Sequence, residues 1–273
     1  MGLFGSKDKV DDLLYDAMSL MVQNPPKGAI ALFNKVLKQE PKNTSALFNK
    51  GLALNQIKKY RDAITSFDIL LDVNPKDAQA WNNRGIAMAE NGNIQAAAEC
   101  YDKAIEVDPK SASSHFNKGV LLDKLQEHEE ALASLEKAIT IDPRKPNAMI
   151  YKGIVLGKLR KHEEAINCFQ NVCKKYPNNQ DAFFQKGVQL AELGQHEKAL
   201  DVFDEILRKY KNNVNVIYAK ARSKAALEMY PESLELLKQA ISANHKVIRN
   251  WAKSEPIFAE LLDNQEFKKL VKL

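Results

Sequence analysis

Glycine returns every 34 residues through the middle of this chain: Gly51, Gly85, Gly119, Gly153 and Gly187. Proline keeps the same step at Pro41, Pro75, Pro109, Pro143 and Pro177. So does a small residue, at Ala29, Ala63, Ala97, Ala131, Ala165, Ala199 and then Ser233. A large apolar residue follows four places later: Phe33, Phe67, Tyr101, Leu135, Phe169, Phe203 and Leu237. A fixed period in this range leaves little choice of architecture: one supersecondary unit is copied and stacked on itself.

Each period contains two apolar runs at helical spacing, such as Trp81 and Met88, then Ala97, Tyr101, Ala104 and Ile105. Short polar breaks, "NGN" or "GQH", separate the two runs. The unit is therefore a helix pair. A single pair leaves an apolar face uncovered, so pairs must stack. Glycine in the first helix allows close approach where a Cβ would clash. Proline after the second helix stops it.

Residues 81 to 109 place Trp81, Gly85, Met88, Ala97, Tyr101 and Pro109 at fixed offsets. This pattern resembles that of the tetratricopeptide repeat (TPR) family, W-x2-L-G-x2-Y, A-x3-F and P over 34 residues. Five blocks, 44–77, 78–111, 112–145, 146–179 and 180–213, carry most of it. Blocks 10–43 and 214–247 are degenerate, with Ala17 and Ala221 for the glycine and His245 for the last proline. One departure is systematic: where the family has leucine before the glycine, this chain has Lys50, Arg84, Lys118, Lys152, Lys186 and Lys220. The resemblance implies an all-α, right-handed superhelical solenoid of about seven helix-turn-helix repeats over residues 10–247. Residues 1–9 read as a flexible leader. Residues 248–273 do not repeat; they read as two short capping helices, one after Ser254 and one near Asp263 or Asn264, with Trp251, Ile257, Phe258 and Leu261 covering the last repeat.

In that family the first helix of each pair lines the concave groove. The resemblance therefore puts the column Tyr15, Asn49, Asn83, Asn117, Tyr151, Gln185 and Ala219 on the groove, with a run of carboxamides at its centre. Phe48, Asn82, Phe116 and Phe184 precede it, and Leu52, Ile86 and Val120 follow each glycine. A carboxamide both donates and accepts, so it can pair with an extended peptide backbone while the apolar wall reads side chains. The expected function is a non-enzymatic scaffold that binds an extended segment of a partner protein. Family members that clamp a C-terminal carboxylate use cations in this groove. Of the corresponding Phe48, Leu52, Asn83, Ser113 and Asn117, only Asn83 fits such a clamp.

Two rival readings are a homo-oligomer assembled through groove or cap, and RNA binding. The net charge of +5 comes from interspersed rather than blocked residues, which argues against nucleic acid. The Lys/Arg column reads as stems that cover apolar surface with heads in water. His128, His162 and His196 lie one period apart, so they read as packing and cannot share one metal ion. No phosphate-binding, nucleophile-elbow or Cys/His-cluster motif appears, so neither catalysis, cofactor nor metal is expected. Cys100, Cys168 and Cys173 form no C-x-x-C, and no apolar run reaches membrane-spanning length; a cytoplasmic protein is expected. The start "MGLFGS" also fits the acylation pattern at Gly2.

Overall fold

The computed structural model describes residues 4–23 and 26–272, with the side chains of residues 4–8 and of His245 left aside. Gly2, the acylation candidate, lies outside the described residues. The chain divides into two compact units, Met1–Arg144 and Lys145–Leu273. Both are all-α, and among the described residues there is no strand.

The first unit holds four helix pairs: α1 (Phe4–Gln23) with α2 (Pro26–Gln39), α3 (Thr44–Gln56) with α4 (Tyr60–Val73), α5 (Ala78–Glu90) with α6 (Ile94–Val107), and α7 (Ala112–Lys124) with α8 (His128–Ile141). Helix α1 begins inside the stretch expected to be a leader. The second unit holds three pairs: α9 (Pro146–Lys158) with α10 (His162–Lys175), α11 (Gln180–Glu192) with α12 (His196–Lys209), and α13 (Val214–Ala226) with α14 (Tyr230–Ala243). It closes with α15 (His245–Ser254), a 3-10 segment (Pro256–Leu261) and α16 (Gln265–Val271). The helix expected to begin after Ser254 is thus only this tight 3-10 segment, and Ser254 belongs to α15 instead. With His245 where earlier repeats have proline, the chain re-enters a helix at once after Asn244.

The first helices start on side-chain caps that share the repeat's period. Asn43, Asp77, Ser111, Asn179 and Asn213 each accept from the backbone N–H three residues on, at 2.9, 2.9, 3.3, 2.9 and 3.2 Å. Such a cap contributes about 1 kcal/mol. Helix α9 has Lys145 there and begins on Pro146, whose missing N–H needs no cap. From α3–α4 to α13–α14, each turn between paired helices passes through one residue of positive φ: Lys58, Gly92, Gln126, Arg160, Gly194 and Glu228. At the end of the second helices, Asn74, Asp108, Asp142 and Tyr176 take φ near −130°, which suits the following proline, and Tyr210 does the same before Lys211.

The recurring glycines face aromatic or leucine side chains across each pair. A Cβ on Gly51 would stand 2.5 Å from Phe67, and one on Gly187 would stand 2.5 Å from Phe203. The closest approach is thus to the large apolar anchor of the second helix; at Gly119 the carbonyl of Ala131, one turn before the anchor, also comes within 3.2 Å. Phe33, Phe67, Leu135, Phe169, Phe203 and Leu237 are all fully buried. Each contributes roughly 1.5–3 kcal/mol of apolar burial. In the last pair Ser233 replaces the alanine, and its hydroxyl donates to Ala221 O at 2.8 Å. Beyond it Phe258, Leu261, Phe267 and Val271 are buried with Leu237 and Ile241. Trp251 stays half exposed, its ring 5.5 Å from that of Tyr218.

Candidate functional site

In the first unit α3, α5 and α7 touch along one side. Their side chains there carry most of the residues expected to bind peptide. Asn49 Nδ2 donates to Ser45 O at 2.9 Å, and Asn83 Nδ2 donates to Gln79 O at 2.8 Å. Each bond runs back one turn of the same helix and fixes the amide's direction. Asn117 differs: its Nδ2 donates to Asn82 Oδ1 at 2.9 Å and links α7 to α5. Among the described residues, Oδ1 of Asn49, Asn83 and Asn117 makes no hydrogen bond, and each amide keeps a second N–H.

Asn82 was expected to face the groove. It is 8% exposed and serves as the acceptor for Asn117. One residue around a helix is about 100°, which is enough to turn Asn82 into the seam while Asn83 stays at the surface. Asn55 was not singled out from sequence. Its Nδ2 donates to Asn83 O at 3.3 Å and ties α3 to α5, while its Oδ1 is buried without a partner.

Phe48, Leu52, Ile86, Phe116 and Val120 are all half-buried along these helices. Phe48 packs edge-on against Phe67 at 6.1 Å, so the wall is braced by the core anchor. In the second unit Tyr151, Phe184 and Gln185 are likewise half-buried on α9 and α11. Phe184 rests on Phe203 at 6.3 Å.

The model of the family described as tetratricopeptide repeat matches residues 57–99, 87–146 and 152–214, together more than half of the chain. The chain belongs to the tetratricopeptide repeat family. No curated protein matches it. Among solved structures it is similar to YrrB, a TPR protein with an unusual peptide-binding site, at 25% identity and a TM-score of 0.56, covering 68% of this chain and 97% of that one. MamA is similar at 26% identity and a TM-score of 0.53, over 58% of this chain and 93% of that one. A TPR protein from Parabacteroides merdae shares the fold over 90% of this chain and 98% of its own, with a TM-score of 0.70 at 17% identity.

The cations standing where TPR proteins have leucine do not simply reach water. Arg84 Nε lies 2.6 Å from Asp68, Lys118 Nζ lies 2.5 Å from Asp102, and Lys220 pairs with Asp204. In each case the acid is 16 residues earlier, on the second helix of the preceding repeat. The stem still covers apolar surface, but the head straps one repeat to the next. A 34-residue scan of the second helices shows the aspartates at the same offset, a signal missed when the cation column was read alone. Asn34 and Gln170 occupy that offset for Lys50 and Lys186, and these two lysines have no ion pair among the described residues.

The histidine column packs as expected, but each member finds a different surrounding. His128 Nδ1 is 3.1 Å from Asp123 Oδ1. His162 Nδ1 donates to Gln189 Oε1 at 2.8 Å. His196 Nδ1 is buried without a partner. Trp81 and His115, one repeat apart, share a single role: each donates a ring N–H to the preceding proline's carbonyl, at 2.9 and 3.2 Å. No helix among the described residues is long and apolar enough to cross a membrane, and no group of His, Cys, Asp and Glu among them is arranged to hold a metal ion.

Proposed function

We propose that this TPR protein is a non-enzymatic scaffold that binds an extended segment of a partner protein along its first helices. The observation that carries the reading is the state of three carboxamides. Asn49, Asn83 and Asn117 are each oriented by one internal hydrogen bond, and each keeps a free Oδ1 and a second N–H. Such groups have already lost rotamer freedom, so pairing with a peptide backbone costs less entropy. The adjoining Phe48, Leu52, Ile86, Phe116 and Val120 supply an apolar wall for the segment's side chains. In the second unit Tyr151, Phe184 and Gln185 offer the same kinds of group. The similarity to YrrB, whose peptide-binding site is described as unusual, supports a peptide ligand over nucleic acid. So does the pairing of Arg84, Lys118 and Lys220 with aspartates, which takes three of the column's six cations away from a phosphate backbone.

The test is selection from a random peptide library on the wild-type chain, followed by calorimetric titration of the selected peptide. Asn49→Ala with Asn83→Ala removes two backbone-pairing groups whose internal bonds lie within a single helix. Two bonds at about 1 kcal/mol each correspond to roughly thirtyfold weaker binding with an unchanged melting temperature. Equal affinity in variant and wild type would reject the ladder.

A further inference from the structure

The two histidine rungs of the second unit differ in what faces them. At the first of these rungs Gln189 is 8% exposed, accepts from His162 Nδ1 at 2.8 Å and lies over Gly157, where a Cβ would come within 2.6 Å of its amide nitrogen. One repeat later the same three places hold His196, Ser223 and Ala191. The serine hydroxyl is two bonds shorter than the glutamine amide. Ser223 is 1% exposed, yet its Oγ has no partner, and neither has the buried Nδ1 of His196. Both residues line a partly open cavity of about 210 Å³, together with Ala191, Arg222, Glu192 and Ile257. Two unpaired polar atoms on one cavity wall are rare in a native interior and ask for a complementary group.

We propose that this cavity is a binding site for a neutral primary carboxamide, supplied by an asparagine or glutamine side chain of the bound partner. A carboxamide oxygen accepts from His196 Nδ1–H, as the Gln189 oxygen does from His162, and an amide N–H donates to Ser223 Oγ. The electrostatics exclude a carboxylate. Arg222 lines the cavity but is held by Glu192 at 3.3 Å and Glu255 at 2.9 Å, so two acids outweigh its charge. Ala191 blocks a glutamine from the chain itself in the Gly157 arrangement; a ligand carboxamide enters from the open side of the cavity. Ala219 and Val188, which belong to the same columns as the proposed peptide-binding face, also line it. The identity of the carboxamide donor therefore rests on the peptide reading, while the chemistry of the cavity does not.

The experiment is a titration of the full chain with propionamide, followed through the imidazole resonances by NMR. A saturable shift at His196, with His162 unmoved, is expected. Propionate and N,N-dimethylpropionamide, which add charge or remove the donors, should shift His196 less than a tenth as much at equal concentration. Ser223→Ala should weaken propionamide about fivefold, the loss of one neutral hydrogen bond. Ala191→Gly with Ser223→Gln rebuilds the His162 arrangement and should abolish the response; if that variant does not fold, the wild-type titrations stand alone. No saturable shift at His196, or propionate matching propionamide, overturns the proposal and leaves a cavity that holds only water. Because the probe is no peptide, a failed Asn49/Asn83 test would leave this result unaffected.

Discussion

Gly51→Ala is a substitution with two opposed effects that the structure lets one weigh. In an open helix interior, alanine is better than glycine by about 1 kcal/mol. Here the new Cβ would lie 2.5, 2.6 and 2.9 Å from three carbons of the Phe67 ring. Carbon atoms prefer roughly 3.5–4.0 Å, so about 1 Å must be found. Phe67 is fully buried and braced edge-on by Phe48, so the ring cannot simply swing away. Forced repacking of this kind costs about 1–3 kcal/mol. The net expectation is a loss of about 1 kcal/mol, or roughly 2–4 °C in melting temperature for a chain of this size. Two repeats carry alanine in the glycine's place: Ala17 stands against Phe33 and Ala221 against the smaller anchor Leu237, all four fully buried, so a smaller anchor is one of two native solutions. Phe67→Leu should therefore rescue Gly51→Ala, with a favourable coupling of about 1 kcal/mol in the double-mutant cycle. Urea denaturation followed by far-UV circular dichroism measures all four corners. A Gly51→Ala chain more stable than wild type, or an additive cycle, would show that the helices have slack and refute the close-approach argument.

Asn117→Ala should destabilise by about 1–3 kcal/mol because it strands the buried Asn82 oxygen, whereas Asn83→Ala should stay within about 0.5 kcal/mol; thermal melts of the two variants separate a seam residue from a surface one. Gln126→Gly should stabilise by about 0.5 kcal/mol, since it relieves a left-handed residue at φ 66° at a smaller cost in unfolded-chain entropy, and a raised urea midpoint would show it. Burial pushes the Cys173 thiol up to about 11 and raises the Tyr101 and Tyr218 phenols above their usual value. Their neutral forms are favoured in the folded chain, so the stability they contribute is complete below the unfolded values and is lost as pH rises through the folded ones. The urea midpoint should thus fall above about pH 9, and Cys173→Ala should flatten the part between about pH 9 and 11.

The period made the fold legible because it reports packing directly. Glycine, anchor and proline recur in sequence since each fills the same space in every pair. The site was only partly legible because equivalence by period does not specify partners. Asn82 and Asn83 are neighbours in sequence, but the helix turns one into the seam and leaves the other outside. His128, His162 and His196 are equivalent by position and still meet an aspartate, an amide and a cavity, because the residue that faces each comes from elsewhere in its repeat or from the next. The cation column read as stems with heads in water, because the aspartates that pair with Arg84, Lys118 and Lys220 lie 16 residues away on the preceding helices. The closing segment carries no period at all, and its 3-10 turn had only local signals to announce it.

The Asp68–Arg84, Asp102–Lys118 and Asp204–Lys220 straps bear on how such a chain can be rearranged. Each acid belongs to one repeat and its cation to the next, so no single repeat owns the pair. A repeat cut out and pasted elsewhere carries a cation on its leading helix that looks for an acid on its new neighbour. The edges therefore favour an acid-ended repeat before a cation-led one, without singling out one order among equivalent pairs. The edges at Asn34/Lys50 and Gln170/Lys186 are blank. Those are the places where a foreign repeat could be spliced in without breaking an existing match, and where recombination among copies would leave the least trace.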